Sequence, residues 1–287
     1  MHWVALTVLS IFARASYSIA AKVLTGRVKV SPQTQSIVVT AFAAVFSLSL
    51  SPLLGGISFH GIGGIWIVCL LMILSHASGN VLFFKGVEKL DAGTAQIAFA
   101  SILVWGTLLS PLVLGSHFSP KQGAGVLLLL SAIVCTQYRK GLRSLNAHVL
   151  YIVAAAGLFS IFQITSAKLA LVMSPATYMF LAYVGSTVFP FALYFRRVVG
   201  DLRALTASRW TVVSLASFTG GTNMLYFLFS FCAYRSAPDR GVVVILLTSQ
   251  VVLSVILGMV FLKERERMGR KLAAGVTAVL AAMLIKS

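Results

Sequence analysis

Ten long apolar segments, separated by short polar or Gly/Pro-containing breaks, dominate the sequence. They cover residues 3–24, 34–54, 62–84, 92–114, 120–137, 148–171, 175–195, 210–233, 241–262 and 269–286. Each approaches the ~20 residues that an α-helix needs to cross a bilayer. Only 10% of the 287 residues are charged, against about 25% in a typical soluble protein. No segment alternates like a barrel strand, so helices are expected to satisfy the backbone. The sequence predicts an all-α integral membrane protein with ten transmembrane helices, one for each segment.

The first segment has a second interpretation, because residues 13–15 (Ala-Arg-Ala) resemble a signal-peptidase site. However, no Lys or Arg precedes the apolar stretch, and hydrophobicity resumes directly after the Ala-Arg-Ala run. We therefore expect the first helix to be retained.

The basic residues are unevenly distributed between the two sides of the predicted membrane. The formal net charge is +17, from 23 Lys and Arg against 6 Asp and Glu. Of the basic residues, 17 flank the loops after odd-numbered segments, 5 lie on the other side, and Arg14 lies inside the first segment. The positive-inside rule then predicts cytoplasmic odd-numbered loops and both termini outside. No run alternates basic and aromatic residues, so no nucleic-acid partner is expected.

The two halves of the sequence resemble each other at an offset of 146 to 147 residues. Residues 21–24 (Ala-Lys-Val-Leu) match 167–170 (Ala-Lys-Leu-Ala), and further matches follow at the ends of segments 3 and 8. We expect one five-helix repeat over 1–143 and a second over 144–287. Because five is odd, the second repeat must be inverted in the membrane. Inverted repeats around a central site are typical of secondary transporters.

Three features together carry a family resemblance: the Ala-Lys ends of segments 1 and 6, the aromatic-rich ends of segments 3 and 8, and residues 261–265 (Phe-Leu-Lys-Glu-Arg). The last run resembles a Leu-Gly-Glu-Arg signature that precedes a closing helix. On these features the chain resembles the drug/metabolite transporter superfamily, of the EamA type, over nearly its whole length. The resemblance implies a metabolite carrier or exporter with a central cavity between two five-helix halves.

Some positions depart from the family pattern. Many relatives have Trp-Gly eight residues before the lysine of helix 1, whereas this chain has Arg14 eight residues before Lys22. The first-half signature is reduced to residues 114–117 (Leu-Gly-Ser-His), without an acidic residue. Relatives more often have cytoplasmic termini, whereas the charge distribution here predicts the reverse.

Arg14 is the leading candidate for substrate binding. A charge at the bilayer centre costs at least about 2.5–3.5 kcal/mol on insertion scales, so such residues are functional candidates. All six acidic residues fall in loops or at segment ends. A guanidinium without a carboxylate partner suits an anionic substrate group; alternatively, Arg14 bonds to backbone carbonyls or lipid headgroups. The lack of a membrane-embedded acid also disfavours efflux of cationic drugs.

Polar residues near the middle of segments 3 and 8 are further candidates. His76 and Asn223 are equivalent at the 147-residue offset, Asn80 lies one helical turn beyond His76, and Tyr226 flanks Asn223. They could hydrogen-bond a substrate in an apolar pocket, and His76 could couple transport to protons. The alternative is that they join neighbouring helices by hydrogen bonds.

Two further pairs are related by the 146-residue offset. Tyr17 and Gln163 are both predicted to bind substrate, and Lys22 and Lys168 lie at equivalent positions on opposite sides. The lysines are interfacial anchors or gates of the two mouths of the cavity. Weaker candidates within the segments are Gln96, Gln250, Trp105 and Tyr183.

The leading hypothesis is a secondary active transporter, an exporter of small polar metabolites such as amino acids or related carboxylates, acting by alternating access. Phosphorylated or nucleotide-linked metabolites are an alternative, and an integral-membrane enzyme or a passive channel represents other classes. No enzyme activity or cofactor is expected, because the sequence shows no His-Glu cluster, no P-loop and no Asp embedded in a segment. No metal is expected either, since Cys69, Cys135 and Cys232 are scattered without ligand spacing. The expected setting is the cell inner membrane, as a monomer or weak dimer with the bilayer and a small-molecule substrate as partners.

Overall fold

The regular structure of the chain is helical wherever it is described. The computed structural model describes residues 2–60, 62–114, 119–137, 146–169, 172–204, 209–238, 240–264 and 266–286. The α-helices are α1 (His2–Arg27), α2 (Pro32–Leu50), α3 (Trp66–Val87), α4 (Ala92–Phe99), α5 (Ile102–Leu114), α6 (Pro120–Gln137), α7 (Ala147–Leu169), α8 (Pro175–Ala204), α9 (Arg209–Ser236), α10 (Arg240–Thr248), α11 (Gln250–Phe261) and α12 (Met268–Lys286).

These helices match the predicted membrane segments. By length and composition, the described residues contain nine spans that could cross a membrane, with α4–α5 and α10–α11 each counted as one. The apolar part of α6, Pro120–Thr136, is shorter, and with it the spans correspond to the ten segments. The all-α membrane fold is therefore confirmed.

Three helices begin at the proline of a Ser-Pro pair, and in each the serine caps the helix. The Oγ atoms of Ser31, Ser119 and Ser174 accept the backbone N–H three residues on, at 3.4, 3.2 and 3.1 Å respectively. Serine satisfies a free N–H of the first turn, and proline has no N–H to satisfy. These pairs mark the starts of α2, α6 and α8.

Segments 4 and 9, predicted as continuous helices, are each broken near the middle. Ala100 and Ser101 separate α4 from α5, and Ser249 separates α10 from α11. At both breaks the backbone makes the tighter bonds of a 3₁₀ turn, with the N–H of Ser101 3.1 Å from an oxygen three residues back and that of Ser249 at 3.0 Å. The Ser249 hydroxyl also donates to Leu246 O at 2.6 Å, a local bond that competes with regular helix geometry. Apolar patterning does not reveal such a turn.

The helix contacts form a pattern that is unchanged when the two halves are exchanged. Helix α1 packs against α9 and α3 against α7, while α2 packs against α8 and α6 against α12. With five spans in each half, the exchange converts the α1–α9 contact into α7–α3 and returns the other two contacts to themselves. Two structurally similar five-helix repeats would give this exchange-symmetric pattern of contacts. The predicted boundary after residue 143 lies outside the described residues, and the division 1–143 and 144–287 stays a prediction.

Helix α8 is longer than predicted. It has 30 residues and ends at Ala204, beyond the predicted segment 175–195. Pro190 lies inside it, and Tyr194 has non-helical angles, φ −111° and ψ 20°. A proline removes one backbone hydrogen bond and kinks a helix. The helix therefore consists of a long first part and a short extension after Tyr194.

Candidate substrate site

A narrow cavity lies between the two broken spans and helices α7 and α9. Its lining is largely apolar, and its polar or aromatic members include Gln96, Phe99, Gln163, Tyr226, Thr248 and Gln250. An apolar pocket with a few polar groups is the usual form of a small-molecule site. The lining also comes from both halves of the chain, as a central site between repeats requires.

Arg14 lies beside this cavity inside a cage of aromatic rings. Only 2% of the residue is exposed. Its Cζ lies 4.5 Å from the ring centre of Phe99, 5.0 Å from Tyr17, 5.1 Å from Tyr226 and 5.6 Å from Phe83. A cation over an aromatic face is attracted by the ring quadrupole. The four rings come from α1, α3, α4 and α9, so the cage joins both halves.

The guanidinium keeps free hydrogen-bonding capacity. Its Nε and Nη2 are buried and have no hydrogen-bond partner among the described residues. No Asp or Glu oxygen lies within 4.0 Å of Arg14 in the same part of the chain. Nε and Nη2 lie on one edge of the guanidinium plane, the edge that binds a carboxylate with two parallel bonds. Phe99 and Tyr226 contact this cation and also line the cavity.

His76 occupies a second aromatic cluster. It is fully buried, and its Nδ1 lies 2.6 Å from Ser186 Oγ and 3.2 Å from Ala182 O. Its Nε2 has no hydrogen-bond partner in the described chain. The ring stacks on Phe162 with 4.5 Å between centroids. His76 is thus anchored through one nitrogen, while the other is held in apolar surroundings.

His76 and Asn223, which are equivalent at the 147-residue offset, lie in one cluster because Tyr183 contacts both of them. Tyr183 contacts the His76 ring at 5.7 Å and donates its hydroxyl to Asn223 O at 3.2 Å. Asn223 is buried, and its Nδ2 has no partner among the described residues. Asn80, by contrast, donates Nδ2 to His76 O at 2.9 Å, so its amide serves its own helix.

The His76 cluster is continuous with the cage around Arg14. The ring of Tyr226, a member of the cage, lies 5.0 Å from Phe227, and Phe227 lies 5.5 Å from His76. The structure therefore gathers most of the predicted site residues into one aromatic region beside the cavity.

The predicted pair Lys22 and Lys168 have different surroundings. Lys22 Nζ donates to Val87 O at 3.1 Å and to Glu88 O at 3.4 Å, at the end of α3. A cation there bonds to free carbonyls of a helix C-terminus. Lys168 is exposed near the end of α7. Neither lysine lines the cavity.

Two glutamines are more prominent in the cavity than the sequence suggested. Gln96 is fully buried, and neither its Nε2 nor its Oε1 has a partner among the described residues. Gln250 is 9% exposed, and its Oε1 is also without a partner there. Gln163, predicted for the site, does line the cavity but is an exposed residue. The signal that could have ranked Gln96 and Gln250 higher is their place beside the polar interruptions of segments 4 and 9.

A charged cluster of Asp91, Glu264 and Lys271, here named the mouth cluster, ties the start of α4 to the segment between α11 and α12. Asp91 Oδ1 pairs with Lys271 Nζ at 3.0 Å, and both Glu264 carboxylate oxygens lie 3.0 Å from the Ala92 N–H. Burial raises the pKa of the Glu264 carboxyl above its ordinary value, although the Ala92 N–H opposes this. The cluster lies on the side of the odd-numbered loops and links the two halves.

The fold is that of a multi-pass helical membrane protein, and its cavity is lined by residues from both halves of the chain. The described residues contain no group of three or more His, Cys, Asp or Glu side chains placed to hold a metal ion.

Residues 1–138 match the model of the EamA-like transporter family. This match confirms the resemblance to the drug/metabolite transporter superfamily and supports a general role as a membrane transporter. No curated protein sequence matches the chain. One similar solved structure, described as "Crystal structure of protein", is 17% identical with a TM-score of 0.63, over 98% of this chain and 96% of that one. That likeness shows a shared fold over both halves.

Proposed function

We propose that this chain is a secondary active transporter of the cell inner membrane that exports small metabolites bearing a carboxylate, amino acids or related compounds, by alternating access. The observation that carries the proposal is the buried Arg14, whose Nε–Nη2 edge is free and whose charge has no acidic partner among the described residues. A buried donor without a partner costs about 1–3 kcal/mol, and more when it is charged. A substrate carboxylate would remove that cost and neutralise the charge.

The aromatic cage suits this role because it holds the cation without neutralising it. Four rings stabilise the guanidinium, yet none accepts a conventional hydrogen bond on the Nε–Nη2 edge. Phe99 and Tyr226 contact the guanidinium and also line the cavity. We infer that a substrate carboxylate entering the cavity displaces their contacts and takes the two parallel bonds.

The alternation of access is supported by the exchange-symmetric contacts and by the mouth cluster. Asp91 and Glu264 contact each other's half of the chain on the side of the odd-numbered loops. Breaking these contacts would open that side of the cavity, and an equivalent rearrangement of the other half would close the opposite side.

Phosphorylated or nucleotide-linked substrates receive less support. Their several negative charges call for several cations, but the cavity lining contains no Lys or Arg among the described residues. Arg14 contacts two lining residues, Phe99 and Tyr226, and brings one positive charge to the cavity. One carboxylate matches one guanidinium.

Transport by the purified protein in vesicles tests the proposal. We expect saturable uptake of a labelled carboxylate with counterflow, reduced by about ten- to a hundredfold in Arg14→Gln, because a charge-assisted bond contributes roughly 1.5–3 kcal/mol. Arg14→Lys should be intermediate, since Lys keeps the charge and loses the fork. Lys121→Gln, a change at an exposed residue at the start of α6, is the control. Unchanged transport by Arg14→Gln would overturn the role of Arg14, and linear, non-saturating flux through the native protein would overturn the carrier mechanism.

Proton coupling through His76 is a separate part of the proposal. The imidazole is anchored by Nδ1, and its Nε2 is free to take a proton. We expect His76→Gln to retain counterflow of a labelled carboxylate but to lose uptake driven by a pH gradient. Accumulation under a pH gradient equal to that of the native protein would exclude His76 from coupling.

A further inference from the structure

Two glutamines that line the cavity are not needed to bind the substrate carboxylate proposed for Arg14. Gln96 and Gln250 face the cavity from the two broken spans, Gln96 just before one break and Gln250 just after the other. Three of their amide atoms, Gln96 Nε2, Gln96 Oε1 and Gln250 Oε1, are buried without a partner among the described residues. Folded proteins leave few buried polar atoms unsatisfied. A ligand that fills the cavity is the natural source of the missing bonds.

The purely structural interpretation of these glutamines is weaker. A glutamine that joins two helices would show a bond to the neighbouring helix, and Gln96 shows none in the described chain. The buried Gln35, by contrast, has a partnered Nε2, which donates to Val28 O at 2.9 Å and to Val30 O at 3.2 Å in the loop before its helix. Among the buried glutamines that the structure describes, Gln96 is the one whose amide nitrogen and oxygen both lack a partner, and it lines the cavity.

The distance between Gln96 and the Arg14 guanidinium is within the length of a small molecule. Phe99 follows Gln96 by three residues, about one helical turn or ~5 Å along the axis. Its ring centre lies 4.5 Å from Arg14 Cζ. A molecule in the cavity could thus meet Gln96 at one end and reach the guanidinium past Phe99 at the other.

The charge of the lining decides which chemical group suits the glutamines. Amides offer neutral donors and acceptors, and no Asp or Glu lines the cavity among the described residues. A desolvated ammonium without a carboxylate partner is unfavourable, and the nearby positive charge of Arg14 disfavours it further. A hydroxyl or a carboxamide meets amide groups without either cost.

We propose that Gln96 and Gln250 form a second subsite, which binds a neutral hydroxyl or carboxamide on a substrate whose carboxylate lies at Arg14. This rests on the proposed role of Arg14 and narrows it. Among carboxylates of equal size, the site prefers a monoanion with a neutral polar group, as in a hydroxy acid, over a zwitterion with an ammonium.

Binding of three matched compounds to the purified protein tests this subsite. Butanoate, 4-hydroxybutanoate and 4-aminobutanoate share one carbon skeleton and differ in a single group at the end remote from the carboxylate. We expect the hydroxy acid to bind about tenfold more tightly than butanoate, because a site built for a hydroxyl penalises its absence, and more tightly than the amino acid. In Gln96→Leu with Gln250→Leu, the preference for the hydroxy acid should fall to about onefold while butanoate still binds.

The control and the second variant keep this result unambiguous. Gln33→Leu removes another amide with an unpartnered Oε1, at the start of α2 and outside the cavity lining, and should leave all three affinities unchanged. Gln96→Glu adds an acid to the lining and should shift the preference toward the amino acid.

The outcomes separate this inference from the proposed function. Loss of binding in Arg14→Gln together with an unchanged hydroxyl preference in the glutamine variants would overturn the subsite and leave the role of Arg14 standing. Equal weakening of all three compounds in those variants, or tighter binding of the amino acid by the native protein, would also overturn the subsite. Undiminished butanoate binding by Arg14→Gln would overturn both.

Discussion

Arg14 shows how a lone cation can be kept inside a membrane protein. Insertion of such a charge costs at least about 2.5–3.5 kcal/mol, and a desolvated cation–π contact returns about 2 kcal/mol or more. Four rings within 5.6 Å offset much of the cost. A buried carboxylate would offset it too, but would also occupy the edge that a substrate needs. The rings stabilise the residue and leave its recognition edge free.

Gly220 permits the closest approach between α2 and α9. A Cβ at this position would lie 2.6 Å from Val39 O and 2.9 Å from Ala43 N, both rigid backbone atoms. At Gly221 the nearest atom would be a Phe46 ring carbon at 3.4 Å, an ordinary contact. We expect Gly220→Ala to destabilise the fold by about 1–3 kcal/mol through overpacking. Gly221→Ala should be neutral or slightly stabilising, because alanine favours helices by ~1 kcal/mol.

Thermal unfolding of the two purified glycine variants, side by side, checks this. The expected result is a lower midpoint for Gly220→Ala only. Equal midpoints would mean that the two helices do not meet through Gly220.

At the residue scale the sequence revealed Arg14 but not its surroundings. A charge inside an apolar segment is visible without any structure. The rings that hold it, those of Phe83, Phe99 and Tyr226, lie on three other helices among many similar aromatic residues. Which of them face Arg14 depends on helix rotation and pairing, which the pattern of a single segment does not determine. The same reason explains why Gln96 ranked below Asn80, whose amide is satisfied within its own helix.

At the scale of elements, the Ser-Pro-x-Thr sequence that starts α2 is bonded to the end of α8. Asp201, near the end of α8, accepts from Ser31 N at 3.0 Å and from Thr34 Oγ1 at 2.6 Å. We expect Asp201→Ala to lower the free energy of unfolding by about 1.5–3 kcal/mol, as for hydrogen bonds to a charged group. Arg203→Ala, at an exposed position on the same helix, should have little effect. A denaturant or thermal series on both variants measures the difference, and equal effects would contradict the capping role.

The mouth cluster makes stability depend on pH through Glu264. The pKa of the Glu264 carboxyl is raised in the folded protein. Its contribution to the free energy of unfolding is therefore complete at a pH below the pKa that Glu264 has in the unfolded chain, and is lost as the pH rises through its pKa in the folded protein. Asp91, Lys271 and Lys22 are the charged groups around it. Glu264→Gln stays neutral, so we expect the native protein to gain stability relative to this variant as the pH falls from 7 to 5.

Unfolding midpoints of the native protein and Glu264→Gln at matched pH values isolate this one group, because all other groups titrate in both. A difference that stays constant with pH, or that grows toward alkaline pH, would contradict the raised pKa.

The breaks in α4–α5 and α10–α11 mark the limit of prediction at this scale. The Ser-Pro caps were predictable, since a serine next to a proline has a local bonding reason to start a helix. The breaks depend on single 3₁₀ turns within apolar stretches, where Ser101 and Ser249 alone give a weak signal. Their matching positions in the two halves become evident only when the helices are seen to line one cavity.

At the scale of the whole molecule, the charge distribution predicts the orientation in the membrane. The odd-numbered loops carry 17 of the 23 basic residues, which predicts that these loops face the cytoplasm. Reporter fusions after residue 29, after residue 60 and at the C-terminus should give cytoplasmic, external and external signals respectively. A cytoplasmic C-terminus would reverse the orientation and place the mouth cluster on the external side.

The extension of α8 implies a particular sensitivity to lipid headgroups. A helix of 30 residues is about 45 Å long, whereas a hydrocarbon core is about 30 Å thick. Beyond Tyr194, exposed Arg196, Arg197 and Arg203 therefore lie at headgroup level, where each basic residue gains about 1 kcal/mol from an anionic surface. Vesicles that contain the anionic lipid phosphatidylglycerol should consequently bind the end of this helix through its arginines. Vesicles of neutral lipid should bind it more weakly.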